Sequence, residues 1–303
     1  MLYCAPNGER RKEATMAEAM IGVIGGSGLY DMPGLADRVE RQVETPFGPP
    51  SDQFVIGTLA GQRVAFLPRH GRGHRLLPTE VPSRANIYAF KQLGVQRLIS
   101  VSAVGSLRED LPPGRMVVPD QLVDRTRGVR PFTFFGAGVV AHVAFDKPFC
   151  PETRAALCEA IRSTDQQVAE GGTLCVMEGP QFSTLAESEL HRANGFDLIG
   201  MTALPEAKLA REAELCYATL ALVTDYDCWH PQHDSVTVET VVQVLQQNVA
   251  NAQAVLTALT PLLAAERSCS CGHALQNAIM TNAALIPAET RARLGLLLDK
   301  YLH

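Results

Sequence analysis

No stretch of the 303 residues is apolar for anything near the ~20 residues that a membrane-spanning helix needs. Charge of one sign is not in excess either: 27 Lys and Arg stand against 32 Asp and Glu, a net −5. Without a basic stripe or a polybasic helix, neither nucleic acid nor a membrane surface is expected as a partner. A bound anion must therefore be held by a local site and not by the overall field. The first 20 residues are polar and mixed in charge, and they lack the apolar core of a signal peptide. They are read as a flexible extension over 1–19, with Met16 or Met20 as alternative starts, and the expected compartment is the cytoplasm. Repeats, low-complexity stretches and linkers are also missing, so residues 20–303 are expected to form one domain.

Eight cysteines are scattered along the chain. In a cytoplasmic protein their default is the reduced, buried thiol. Cys269-Ser270-Cys271-Gly272-His273 resembles a metal motif, but it offers only three ligands, more tightly spaced than usual structural zinc patterns. No second Cys/His pair lies near it in sequence. No metal is therefore expected, and pairing of Cys269 with Cys271 stays open.

The elements alternate. Buried strands are read at Met20–Ile24, Arg97–Ser102, Met116–Val118, Leu174–Met177, Asp197–Gly200 and Tyr217–Thr224, and a hairpin at Phe54–Leu59 and Arg63–Leu67 around Ala60-Gly61-Gln62. Helices are read at Pro82–Leu93, Pro151–Ile161, Ser183–Asn194, Pro205–Glu214, Val236–Leu263 and Pro287–Tyr301. This is an α/β pattern: a central mixed β-sheet, partly barrel-like, flanked by helices.

Chemistry concentrates where strands end. Thr224-Asp225-Tyr226-Asp227-Cys228-Trp229-His230 follows the apolar run Leu220–Val223. Ligands bind at the carboxyl ends of strands in open α/β sheets. A carboxyl group buried there is driven toward its protonated form and becomes an acid near neutral pH. Gly25-Gly26-Ser27-Gly28 suits an anion held by backbone N–H groups or, equally, a tight turn; it is neither a P-loop nor a clean GxGxxG. Arg69 and His70 follow the second hairpin strand and supply donors for phosphate. Ser102-Ala103-Val104-Gly105-Ser106 and Gly200-Met201-Thr202 add small and hydroxyl residues at two further strand ends. An oxyanion site beside an acidic side chain suggests phosphorolysis, with phosphate as nucleophile and the carboxyl group as proton donor.

The chain resembles the 5′-methylthioadenosine phosphorylases of the trimeric purine nucleoside phosphorylase superfamily. The matching stretches are IGVIGGSGLYD (21–31), PRHGRGH (68–74), SAVGSLRED (102–110), FCPETR (149–154), MEGPQFSTLAES (177–188), IGMTALPEAKLAREAELCYA (199–218) and TDYDCWH (224–230). The resemblance implies a nucleoside phosphorylase-like fold and cleavage of methylthioadenosine by phosphate to adenine and 5-methylthioribose 1-phosphate. It implies a homotrimer with no metal and no organic cofactor, inorganic phosphate being a co-substrate. It puts Ser27, Arg69, His70, Ser102, Ala103 and Thr202 on phosphate. Asp225 and Asp227 meet the base, Phe182 packs on it beside Ser183, and Met201 lies against the ribose. His142 reaches the neighbouring subunit's 5′ pocket, and Val238, Val241 and Val242 wall the methylthio group.

The pair Asp225 and Ser183, where relatives acting on 6-oxo purines carry Asn and Glu, favours a 6-amino purine. Val104 and Ala203 depart from the family pattern, and the last forty or so residues match less well. Adenosine, methylthioinosine or inosine as substrate, a hydrolase using water, and a binding protein without turnover remain the competing readings.

Overall fold

The computed structural model describes residues 17–302 apart from 27, 30 and 232–237, and leaves out the side chains of 240, 241, 243 and 245–247. The extension expected over 1–19 lies largely outside that range. Of its last residues, Glu18 and Ala19 donate backbone hydrogen bonds to the Leu93 carbonyl, and Ala19 is buried.

The sheet is mixed. Its strands are β1 (Ile21–Gly25), β2 (Ala36–Arg41), β3 (Phe54–Leu59), β4 (Gln62–Pro68), β5 (Arg97–Ser106), β6 (Met116–Val118), β7 (Gln121–Arg125), β8 (Val168–Glu170), β9 (Thr173–Met177), β10 (Leu198–Gly200) and β11 (Cys216–Asp225). One path runs β2-β3-β4-β1-β5-β10-β9-β7, and a branch leaves β5 through β11 to β6 and β8. The sheet thus forks at β5. Among the described residues its far ends do not pair, so no barrel closes.

Helices cover both faces: α1 (Ser83–Gln92), α2 (Pro151–Ser163), α3 (Leu185–Ala193), α4 (Ala203–Glu212), α5 (Val238–Leu262) and α6 (Ala288–Leu298). Alternate residues of each central strand face opposite sides, as a period of two requires. Ile24, Leu98, Tyr217, Ala221 and Val223 join Ile87 and Phe90 of α1, Ala207 and Ala210 of α4, and Leu294 and Leu298 of α6. Val23, Ile99, Val101, Leu220 and Leu222 join Leu157 and Ile161 of α2 and Val255, Leu256 and Leu259 of α5. Each fully buried side chain of this size contributes about 1.5–3 kcal/mol.

Three strands escape the sequence reading. β2 is exposed along its whole length and reads ADRVER; it is an edge strand guarded by charge, with no apolar alternation to reveal it. β7 and β8 are short and largely unburied. The helix expected from Ser183 starts two residues later, at Leu185. Thr184 caps it in a capping box: Glu187 N–H donates to Thr184 Oγ1 at 3.2 Å, and Thr184 N–H to Glu187 Oε2 at 2.8 Å.

Candidate active site

β1, β4, β5 and β11 run parallel, which brings their carboxyl ends to one rim. Gly25 lies opposite Pro68, Ile24 opposite Ser100, Ala221 opposite Ser102 and Asp225 opposite Gly105. β10 arrives antiparallel against the last residues of β5. It delivers Thr202 to Ser102, with their hydroxyl oxygens 2.9 Å apart.

At the Arg69 end a buried polar network runs inward from that hydroxyl pair. Ser102 Oγ is 3.5 Å from Ser100 Oγ, and Ser100 donates to Glu206 Oε2 at 3.3 Å. Arg69 Nε donates to Glu206 Oε1 at 2.5 Å, and both side chains are almost wholly buried. Arg69 also donates to Ser100 Oγ and to the carbonyls of Val101 and Ile24. Tyr217 donates its hydroxyl to Glu206 Oε2 at 3.1 Å. A guanidinium carries five N–H groups. These contacts leave at most one, on Nη1, for an anion. Arg69 is therefore chiefly a buried cation beside the rim, held by Glu206.

His70 also differs from expectation. Its Nδ1 lies 2.8 Å from the Leu76 carbonyl, which only accepts, so the proton sits on Nδ1. Burial and the Arg69 charge lower its pKa to about 4, so the ring is neutral. Nε2 is then an acceptor, where the sequence reading made His70 a donor. Ser27 lies outside the described residues. Ala103 is half-buried on β5, opposite Leu222.

At the Asp225 end the carboxyl group closes β11. It accepts from Thr224 Oγ1 at 2.7 Å and from the Asp227 N–H at 2.8 Å. Burial, ahead of any other cause, raises its pKa to about 6; the two hydrogen bonds pull the other way and the Asp227 charge adds to the rise. Gly105 makes room for it: a Cβ there would stand 2.8 Å from Asp225 Oδ1. Asp227 is buried, with φ +53°, and its Oδ2 has no hydrogen-bond partner among the described residues. Such a group is expensive unless something answers it.

The segment beyond is braced. Trp229 Nε1 donates to the Ser106 carbonyl at 2.8 Å, and the Arg192 guanidinium stands 3.6 Å over the Trp229 ring. Cys228 Sγ donates to the Ser183 carbonyl at 3.4 Å, which ties the segment of Phe182 and Ser183 to the chain just after Asp227. Ser183 Oγ itself reaches Met177 Sδ at 3.8 Å. Phe182 is 41 % exposed.

Met201 is half-buried and leans on Gly179, where any Cβ would meet its sulfur. Arg130, itself buried, holds this corner together. It donates to Glu178 Oε1 at 2.5 Å and to the carbonyls of Met201, Leu204 and Glu178. Glu178 also accepts the Arg127 N–H, the backbone role its place in a tight loop suggests.

Three expected contributors are exposed in this one chain. His142 is exposed, on a loop tied by its N–H to the Ala278 carbonyl. Val238 and Val242, on the first turns of α5, are 68 % and 42 % exposed. The Val241 side chain lies outside the described residues.

Sequence reasoning missed Glu206, Ser100, Tyr217 and Arg130. One had a signal. Ser100 lies two residues before Ser102, on the same strand face. Glu206 is separated from Thr202 by a break in the helix at Leu204, so no helical spacing links the two. Arg130 sits in a loop and had none.

The model of the phosphorylase superfamily matches residues 20–261, the span that carries both ends of this rim, and the chain belongs to that superfamily. Within it, curated relatives from Chloroflexus aurantiacus and Geobacter sulfurreducens are S-methyl-5′-thioadenosine phosphorylases. They are 60 % and 56 % identical, over 94 % of this chain in each case and 99 % and 100 % of theirs. A solved methylthioadenosine phosphorylase from an antarctic soil metagenomic library is 51 % identical, with TM-score 0.89 over 93 % of this chain and 99 % of that one. The methylthioadenosine phosphorylase of Schistosoma mansoni, solved with adenine, is 37 % identical, with TM-score 0.81 over 86 % of this chain and 98 % of that one.

Proposed function

We propose that this protein cleaves 5′-methylthioadenosine with inorganic phosphate, giving adenine and 5-methylthioribose 1-phosphate. The observation that carries the reading is Asp225: a carboxyl group at the end of β11, burdened by burial until its pKa reaches about 6, beside the hydroxyl-lined end of β5. The relatives' shared activity supports the same reaction.

In this reading Asp225 meets the purine edge. In its protonated form it gives its proton to N7, and its other oxygen accepts from the 6-amino group. Asp227, with its free Oδ2, takes part in holding the base. As the C1′–N9 bond lengthens, positive charge builds on the ribose ring. A phosphate oxygen then forms the new bond to C1′, and adenine departs protonated at N7.

Thr202, Ser102 and the backbone at Ala103 hold phosphate, together with the loop of Ser27. Arg69 adds its buried charge and one N–H. His70 accepts at Nε2 from a proton that phosphate itself carries. Phe182 packs on the base and Met201 on the ribose. No organic cofactor or catalytic metal enters these steps. The exposed His142 and the exposed Val238 and Val242 at the start of α5 fit a pocket for the methylthio group completed by a neighbouring subunit, as in a homotrimer, with Val241 a further expected wall.

The test is adenine release from methylthioadenosine with and without phosphate, with adenosine and methylthioinosine in parallel. Release that needs phosphate and prefers methylthioadenosine is the expected result. Release without phosphate would make the enzyme a hydrolase; preference for methylthioinosine would overturn the Asp225 assignment. Adenosine is the second reading, because the Schistosoma mansoni protein is also described as an adenosine/methylthioadenosine phosphorylase. An apolar 5′ pocket separates the two substrates by only about 1–3 kcal/mol.

A further inference from the structure

At the opposite end of β11 from Asp225, four cysteines from three distant parts of the chain meet. Cys216 opens β11, Cys150 precedes the first turn of α2, Cys269 precedes the single helical turn Ser270–His273, and Cys271 lies within it. Their four sulfur atoms all lie within 4.8 Å of one another. Cys216 and Cys269 are 3.3 Å apart, and Cys150 and Cys269 3.7 Å. None of the pairs is at bonding distance; all four are free thiols. Four thiolates each about 2.3 Å from a zinc ion at the centre of a tetrahedron stand about 3.8 Å apart. The cluster has that size.

We infer that Cys150, Cys216, Cys269 and Cys271 form a structural tetrathiolate site for one zinc ion per chain, separate from the nucleoside site. The sequence offered Cys269 and Cys271 without a second pair; the fold supplies it from Cys150 and Cys216. All four positions are taken by protein, so the ion has no open position for a substrate, and its role is to hold chain segments together.

The surroundings suit the charge. Binding Zn²⁺ releases four thiol protons and leaves a complex of net charge −2. Arg267 faces it, with Nη1 3.9 Å from Cys216 Sγ, and the same nitrogen donates to the Glu214 carbonyl at 2.7 Å. Gly272 lies directly under that guanidinium: a Cβ there would stand 2.7 Å from Arg267 Nη2. Lys300 donates to the Gly272 carbonyl at 2.6 Å and pairs with Glu214 Oε2 at 2.9 Å. Cys150 sits at the amino end of the thirteen-residue α2, where the helix dipole favours a thiolate. Softness selects the ion: an all-thiolate tetrahedral set in a reduced protein suits zinc and disfavours the oxygen-seeking Mg²⁺ and Ca²⁺.

The site also has something to hold. Residues 269–279 run from the two cysteines to Ala278 and Ile279, which pair with His142 and Ala141. Zinc would thus clamp the start of β11 and the start of α2 to the segment that steadies the His142 loop. The proposal does not depend on what the nucleoside site does.

The test starts from tag-free full-length protein, purified under reducing conditions without added chelator. Metal analysis should find about one zinc per chain, and Cys271→Ser should lower that to below about a tenth. Cobalt(II) added to the metal-free protein should give the sulfur-to-metal charge-transfer and visible bands of a tetrahedral thiolate site, displaced by zinc. Chelation should lower the melting temperature by about 5 °C or more, while adenine release at a temperature well below melting persists. Should Cys271→Ser fail to fold, the cobalt spectrum of the unaltered protein still decides. No retained metal and no cobalt spectrum would overturn the site. So would a denatured thiol count short by two or four, which would make the cluster disulfides. Iron in place of zinc would overturn the choice of ion.

Discussion

Arg69 spends its guanidinium on Glu206, Ser100 and two carbonyl oxygens, whereas Asp225 receives two hydrogen bonds and Asp227 Oδ2 receives none among the described residues. Both ends of the rim are buried and charged, yet one is closed and the other is left wanting. A buried charge that is fully answered becomes scaffold: it sets position and potential, and it changes little during a reaction. Burial drives the Asp225 carboxyl group toward its protonated form, which proton transfer uses, and the unanswered Asp227 oxygen can still accept a hydrogen bond.

The largest expected effect breaks the open end. Asp225→Asn should lower kcat/KM for methylthioadenosine by about 10²–10⁴. It should leave the melting temperature level or raised, because it removes a carboxyl group whose charge burial disfavours. Unchanged adenine release would mean that another group is the acid.

Next in size is a break at the closed end. Glu206→Gln leaves the Arg69 guanidinium buried without its counter-charge, which costs about 3–5 kcal/mol. Urea denaturation measures this. If the midpoint does not move, the Arg69–Glu206 pair is not the anchor described.

A pH series sharpens the contrast. Asp225 is the active acid when protonated, so kcat/KM should fall above about pH 6, and that limb should vanish in Asp225→Asn. Stability follows the same proton. The raised pKa means the folded state binds it more tightly than the unfolded state. The contribution is fully present below the unfolded value of about 3.9 and is lost as pH rises through about 6, up to ~3 kcal/mol. His70 runs the other way. Its neutral folded form, with pKa about 4, costs stability as pH falls below 6.5 through about 4. The difference between wild type and Asp225→Asn isolates the carboxyl group; a difference that is flat with pH would remove burial as the cause of its shift.

The smallest test is Gly105→Ala. Its methyl group crowds Asp225 Oδ1, and overpacking of this kind costs about 1–3 kcal/mol. Turnover should fall while phosphate saturation holds. Equal damage to both would show that the two ends are not separate.

The open end was legible before the fold was known, because its parts are contiguous. An apolar run followed by Asp225 and Asp227 marks a strand end. The closed end was not. Arg69 and Glu206 are far apart in sequence, and Glu206 on a helix rich in Ala, Lys and Glu looks like a solvated charge. The edge strand β2 escaped for a related reason, since nothing apolar alternates along an element that buries no face. The cysteines repeat the lesson: one pair adjacent in sequence, the other delivered only by folding.

By itself the sequence determined the alternation of elements, the strand ends that carry the hydroxyls and carboxylates, and the family to which those motifs point. These are local patterns, and local sterics and burial preference act on them directly. Only the tertiary structure decided which charges are answered. That choice depends on side chains a hundred residues apart arriving within 3 Å of each other in a place that water does not reach, as Arg69 and Glu206 do at 2.5 Å.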